Sequence, residues 1–134
     1  MIKSILPALL LGLLSATAQA APENLKASGG CSSATAGKLG DAPLQFCMTP
    51  GSFGDDSYEL KSNGQSVLTA DVEGASKGVT GTVAGQSVTL KCTSELKSED
   101  GEDTEVGRMC DISGPAGVVL QVHIDLSLMH PNAS

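Results

Sequence analysis

The chain has 134 residues, 15 of them acidic and 8 of them Lys or Arg, and its formal net charge at pH 7 is −7. The length fits a single domain. The negative charge argues against nucleic acid and anionic membranes as partners, because both bind basic surfaces. The aromatic content is also low, with no Trp, one Tyr and two Phe, so a core this small needs additional stabilisation.

Residues 1–20 have the pattern of a secretory signal peptide. Lys3 provides the positive charge, residues 5–14 form a short apolar core, and Ala18-Gln19-Ala20 is a small-x-small cleavage motif. We therefore predict a periplasmic or secreted protein. No later apolar run is long enough to cross a bilayer, so we expect no membrane insertion after cleavage.

Four cysteines follow the leader, namely Cys31, Cys47, Cys92 and Cys110. In an oxidising compartment an even number of cysteines predicts disulfides, here two. Four cysteines allow three connectivities, which the sequence alone does not distinguish; we favour Cys31–Cys47 and Cys92–Cys110. Redox catalysis is the alternative, but the close C-x-x-C pair typical of such enzymes is missing.

The remaining chain divides into an extended N-terminal arm, residues 21–42, and a β domain, residues 43–134. The arm is rich in Ala, Gly and Ser and has no sustained period. From Pro43 onward apolar residues alternate with polar ones, as expected for strands. Asn63-Gly64 and Ala84-Gly85 each separate two such runs, and we predict a hairpin turn at both.

Two further segments complete the predicted fold. Residues 93–107 are polar and acidic, which favours a loop. Residues 118–128 alternate over their whole length, with Val118 and the following even positions predicted to face the core. No stretch has a convincing helical period. We therefore predict an all-β fold, a small antiparallel sandwich or partly open barrel of about seven strands, stapled by two disulfides.

Two segments are candidate binding sites. The first is the acidic loop, in which we single out Glu99, Asp100, Glu102, Asp103 and Glu105. Three interpretations are open: a solvated loop, an acidic patch that faces a protein partner, or a calcium site, since carboxylates suit a hard cation.

The second candidate is the segment from Gly51 to Asp56, which carries Phe53, Asp55 and Asp56. Loops supported by a sheet are frequent binding sites, and exposed aromatic residues are frequent anchors. In the alternative, Phe53 folds back and caps a core that has few aromatic residues.

Two other combinations of residues have weaker patterns. His123, Met129 and His130, with Met48 and Met109, are residue types that bind soft metals, but His123 and His130 are far apart on an extended strand. His123, Asp125 and Ser127 share one face of the last strand, where their separation is too large for a catalytic triad. We assign neither a metal, a cofactor nor catalysis to them.

We predict a non-enzymatic, exported, acidic protein-binding module. Its expected partner is a protein, such as a basic secreted or cell-wall enzyme that it inhibits or confers immunity against, since opposite charge accelerates association. The alternatives are a structural or surface subunit that assembles by strand addition and a periplasmic metal-binding carrier.

Overall fold

A computed structural model describes residues 22–127, so the predicted signal peptide lies outside the described residues, as do Leu128, Met129 and His130. The protein is mostly β, as predicted, with two five-stranded sheets around one core. The elements are, in chain order, β1 (Glu23–Lys26), β2 (Gly30–Cys31), β3 (Gly37–Leu39), β4 (Ala42–Thr49), a 3-10 turn (Ser52–Gly54), β5 (Ser57–Ser62), β6 (Gln65–Asp71), α1 (Val72–Lys77), β7 (Val79–Val83), β8 (Gln86–Glu99), β9 (Glu102–Gly114) and β10 (Gly117–Asp125).

The two sheets pack face to face. The first has the order β1-β10-β9-β8-β7 and the second β2-β4-β5-β6, with β3 also pairing with β4. All pairs are antiparallel except β1 with β10, which is parallel. Alternate residues of each strand face inward, as the period-two pattern predicts. The fully buried side chains include Leu44, Phe46, Tyr58, Leu60, Val88, Leu90, Ile112, Val122 and Ile124.

Glycine residues allow the two sheets to approach closely along both sides. A Cβ atom on Gly37 of β3 would lie 2.6 Å from the carbonyl oxygen of Val119 in β10. On the other side, a Cβ atom on Gly81 of β7 would lie 3.1 Å from the carbonyl oxygen of Val67 in β6. Because a side chain at either position would push the sheets apart, these glycines help to close the sandwich.

Three hairpins have two-residue turns in which both residues have positive φ. The predicted turns at Asn63-Gly64 and Ala84-Gly85 are confirmed, and a third lies at Asp100-Gly101. Positive φ at both positions gives the turn a twist that matches the flanking strands.

The prediction of a loop over residues 93–107 is wrong. β8 and β9 remain paired up to Glu99 opposite Glu102, which leaves only Asp100-Gly101 in the turn. β7 pairs with β8 no further than Leu90, and the β10 ladder on β9 ends at Gly107. Residues 95–106 therefore form a two-stranded projection, called here the hairpin extension, which neither β7 nor β10 flanks.

The described part of the predicted arm, residues 22–42, contributes strands to both sheets. β1 lies along β10, and Leu25 and Leu39 are buried in the core.

The structure also contains one short helix that the sequence pattern did not predict. In α1 the carboxylate of Asp71 accepts a hydrogen bond from the N–H of Gly74 at 2.6 Å, which caps a helix only six residues long.

The last strand alternates as predicted from Leu120 onward, but not at Val118. A register shift between Val118 and Leu120 leaves the Val118 side chain 55% exposed. A bulge adds a residue to one strand and changes which side of the sheet the side chains face. The strand ends at Asp125, earlier than predicted, because Leu126 and Ser127 are described and lie outside it; Leu128 lies outside the described residues.

The disulfides are Cys31–Cys47 and Cys92–Cys110, the predicted connectivity. Each joins directly opposed residues of neighbouring antiparallel strands, β2 with β4 and β8 with β9. Two such bonds are consistent with an oxidising extracellular or periplasmic location. Within residues 22–127, no helix has the length and apolar character required to cross a membrane.

Candidate functional site

Both predicted binding segments lie at the same end of the sandwich. Arg108 of β9 is 5% exposed, and its Nη1 atom lies 2.8 Å from Oδ2 of Asp56, at the end of the 51–56 loop. Its Nε and Nη2 atoms each lie 2.9 Å from an oxygen of Glu105, in the hairpin extension. Arg108 thus connects two segments that are about fifty residues apart in sequence. The end that contains them is called here the hairpin end.

Buried charge at this end is fully paired. Nη1 of Arg108 also donates to the hydroxyl of Tyr58 at 2.5 Å, and the backbone N–H of Gly51 donates to Oδ1 of Asp56 at 3.1 Å. Burial lowers the pKa of Arg108, but its hydrogen bonds to Glu105 and Asp56 outweigh this and raise the pKa overall. The guanidinium therefore stays charged and holds the two carboxylates in place.

Tyr58 responds to the same surroundings. Burial raises the pKa of its hydroxyl above the usual 10.0, and the nearby Arg108 guanidinium offsets only part of that effect. The phenol is therefore neutral at physiological pH. The ring packs on Phe46 with 5.5 Å between centroids, which anchors the start of β5 in the core.

Phe53 is fully exposed at the tip of the 51–56 loop and does not cap the core. Its backbone has φ 56° and ψ 36°, in the left-handed region that bulky side chains rarely adopt. An exposed side chain gains no burial energy to offset this strain in the free protein. In the free protein, the strained backbone of Phe53 is thus not compensated by burial of its ring.

The two acids that follow Phe53 have different environments. Asp55 is exposed and can contact another molecule. Asp56 is 3% exposed and bonded to Arg108 and Gly51, so it is not available to a partner. The prediction that Asp56 is a binding residue is thus wrong, and its role is to fix the loop.

Some of the predicted acidic residues of the hairpin extension are bonded within the protein, and others are exposed at its turn. Glu105 is held by Arg108 and by the hydroxyl of Ser94 at 2.5 Å. Ser98 donates a hydrogen bond to Asp103 across the ribbon, and Glu99 lies 3.6 Å from the ammonium of Lys97. Asp100 and Glu102 are exposed at the turn, with no ion pair to another described residue.

The acidic residues do not converge as a metal site. Among residues 22–127, no three His, Cys, Asp or Glu side chains come together in a group that could hold a metal ion. The ribbon keeps the carboxylates apart on two strands, whereas calcium requires six to eight converging oxygens. Met48 is buried in the core and so is not a surface ligand.

His123 pairs with an acid from another strand. Its Nε2 atom lies 2.6 Å from Oε1 of Glu95, and the contact passes over Gly107, where a Cβ atom would lie 2.3 Å from that oxygen. Asp125 accepts hydrogen bonds from the N–H and hydroxyl of Ser127. These bonds lower the pKa of Asp125. His123, Asp125 and Ser127 therefore do not form the His-centred chain of a catalytic triad.

Sequence reasoning missed Arg108, although a signal was present. Arg108 occupies an inward position of β9, in alternation with the buried Cys110 and Ile112. A charged residue at such a position needs a buried partner of opposite charge. The pattern thus indicated a buried ion pair, but not that Asp56 would supply it.

No known protein family matches the sequence, and no significantly similar curated protein or solved structure is found.

Proposed function

We propose that this protein is an exported, acidic, non-enzymatic binding module whose hairpin end contacts another protein. Phe53 is the apolar anchor, and Asp55 with the turn residues Glu99, Asp100, Glu102 and Asp103 forms the acidic rim of the same end. The partner class that fits best is a basic secreted or cell-wall enzyme, which the module inhibits or against which it gives immunity.

The conformation of Phe53 is the observation that carries this proposal. An aromatic side chain that is fully exposed and held by a strained backbone contributes little to the free protein. It can contribute much to a complex, because buried aromatic residues dominate the energetics of many interfaces. Arg108 supports this role, since it fixes the end of the loop that presents Phe53.

Charge supports the same kind of partner. The acidic rim combines Asp55, two residues from Phe53, with the carboxylates at the turn of the hairpin extension, and an apolar anchor with a polar border is the usual organisation of an interface. Carboxylates at the border attract a cationic partner and accelerate association, and salt weakens this effect. Export fits both the predicted signal peptide and the disulfides, which form in oxidising compartments.

Affinity capture with matched variants tests the proposal. The mature protein, immobilised away from the hairpin end, is incubated at low salt with an extracellular or periplasmic extract of the source cells, and captured proteins are identified by mass spectrometry. We expect a basic protein that is retained by the wild type, lost with Phe53→Ala and reduced when Glu99, Asp100, Glu102 and Asp103 are changed to their amides.

Val118→Ala is the control. Val118 is also an exposed apolar residue, but it lies near the start of β10, at the opposite end of that strand from Asp125, which pairs with Gly107 beside the hairpin extension. Retention of the same protein by all variants would show nonspecific capture. Loss with Val118→Ala but not with Phe53→Ala would contradict the proposed anchor.

A further inference from the structure

One strand of the hairpin extension has an unpaired main-chain edge. β8 pairs with β9 up to Glu99, but on its other side the β7 ladder ends at Leu90. Residues 94–98 therefore have a strand on one side only, and Ser94, Leu96 and Ser98 are exposed. Such an edge can accept a strand from another molecule.

The orientation of the main chain can be deduced from the disulfide next to this edge. The Cα atoms of Cys92 and Cys110 are opposite each other and 4.0 Å apart, the short spacing of a pair that shares no main-chain hydrogen bonds. The N–H and C=O of Cys92 consequently point away from β9. Alternation along β8 gives Ser94, Leu96 and Ser98 the same orientation, since the extra residue of the nearby bulge, Val106, belongs to β9.

We propose that a second copy of this chain pairs with this edge, antiparallel, with a two-fold axis at Leu96. The sequence of the edge is Ser94-Glu95-Leu96-Lys97-Ser98. In that register Leu96 meets Leu96 of the second copy, each Glu95 meets a Lys97, and each Ser94 meets a Ser98. A two-fold interface must be complementary to itself, and this segment is.

The side chains of the free protein are compatible with this pairing. The Leu96 side chain is 60% exposed, so the central contact covers apolar surface. In the free protein the Glu95 carboxylate lies over Gly107 of β9 and bonds His123, so its contact with Lys97 of the second copy requires a rotamer change that exchanges His123 for Lys97. Within one copy, the Lys97 ammonium lies 3.6 Å from the Glu99 carboxylate, and both side chains are exposed. Such a surface ion pair contributes little free energy, so Lys97 can leave Glu99 and bind Glu95 of the second copy.

The proposed dimer uses the side of the hairpin extension, whereas the proposed binding function uses Phe53 and the turn. The two proposals therefore fail independently. Phe53→Ala is expected to leave self-association unchanged, and a monomeric variant of the edge keeps Phe53 and the acidic turn.

Sedimentation velocity of the oxidised mature protein over a concentration series tests the proposal. We expect a reversible monomer–dimer equilibrium. Lys97→Glu places like charges opposite each other twice in the two-fold pairing and should weaken the dimer by about tenfold or more. Lys38→Glu makes the same charge change on the exposed face of β3 and should have a much smaller effect.

Charge reversal tests the register itself. Glu95→Lys alone should also weaken the dimer, and the double variant Glu95→Lys/Lys97→Glu should restore it. A mixture of the two single variants should form a heterodimer, because each introduced charge then faces its opposite. Glu95→Lys also removes the contact between Glu95 and His123. Thermal unfolding of His123→Gln, which removes the same contact and keeps Glu95, measures how much that contact stabilises the fold, separately from dimerisation.

Several results would overturn the proposal. They are a monomer at every concentration up to about 1 mM, equal effects of Lys97→Glu and Lys38→Glu, and single variants that do not associate when mixed.

Discussion

Replacing Arg108 with Met tests how the hairpin end is held together. The substitution keeps most of the side-chain volume but removes the charge that pairs with Asp56 at 2.8 Å and with Glu105 at 2.9 Å. Asp56, which is 3% exposed, would then be a buried carboxylate without a cation. Loss of one partner of a buried ion pair costs about 3–5 kcal/mol.

This cost is a large part of the stability of a small domain, which is about 5–15 kcal/mol. With an m-value of about 1.5 kcal/mol per molar urea, the unfolding midpoint should fall by about 2–3 M. Urea unfolding followed by far-ultraviolet circular dichroism measures the change. Lys38→Met, which removes an exposed charge from β3, should change the unfolding free energy by less than about 0.5 kcal/mol.

A double substitution separates loss of the pair from loss of packing. Asp56→Asn keeps an oxygen that can accept from the N–H of Gly51 but removes the buried charge. Asp56→Asn/Arg108→Met should therefore be more stable than Arg108→Met alone. The proposed role of Arg108 would be refuted if Arg108→Met lowered the unfolding free energy by less than about 1 kcal/mol, or if the double variant lowered it by the sum of the two single effects.

Three further predictions concern the β domain. Tyr58 is the only tyrosine, so tyrosinate absorbance reports its titration, and we expect a pKa above 10.0 in the native protein. The unfolding free energy should fall as pH rises from 10.0 towards that native pKa, because Tyr58 ionises first in the unfolded chain. A native pKa at or below 10.0 would contradict the burial of this hydroxyl. Ala84→Asn should raise the unfolding free energy by about 0.5–1 kcal/mol, because Asn tolerates the φ of 51° better than Ala, whereas Ala116→Asn should have no such effect. Ile124→Asp should abolish folding, as judged by circular dichroism, because it places a charge in the core, while His123→Asp on the outer face should leave the domain folded.

The sequence pattern predicted those elements in which one face of a strand is buried and the other is wet. Alternation in β4 and β10, and the turn residues at Asn63-Gly64, identified strands and hairpins because each pattern has a direct steric cause. Periodicity cannot identify the hairpin extension in the same way, since both of its faces are solvated and no apolar stripe is needed. The Asp100-Gly101 pair was the available signal, because it favours the same two-residue turn.

Long-range pairing was not predictable from local pattern. The parallel pairing of β1 with β10 joins residues almost one hundred positions apart, and nothing in the four residues of β1 specifies that partner. Similarly, Phe53 has the same local sequence whether it caps the core or faces solvent. The Arg108–Asp56 pair holds the end of its loop, and it joins β9 of one sheet to the β4–β5 loop of the other, so it exists only in the packed sandwich.

Phe53 is proposed here as the interface anchor of the hairpin end. The most direct measurement is the rate at which Phe53→Ala dissociates from the captured partner, compared with wild type and Val118→Ala by surface plasmon resonance. We expect Phe53→Ala to dissociate at least about thirtyfold faster, corresponding to the loss of about 2 kcal/mol expected for an interface anchor, and Val118→Ala to behave as wild type. Equal dissociation rates for wild type and Phe53→Ala would contradict the claim.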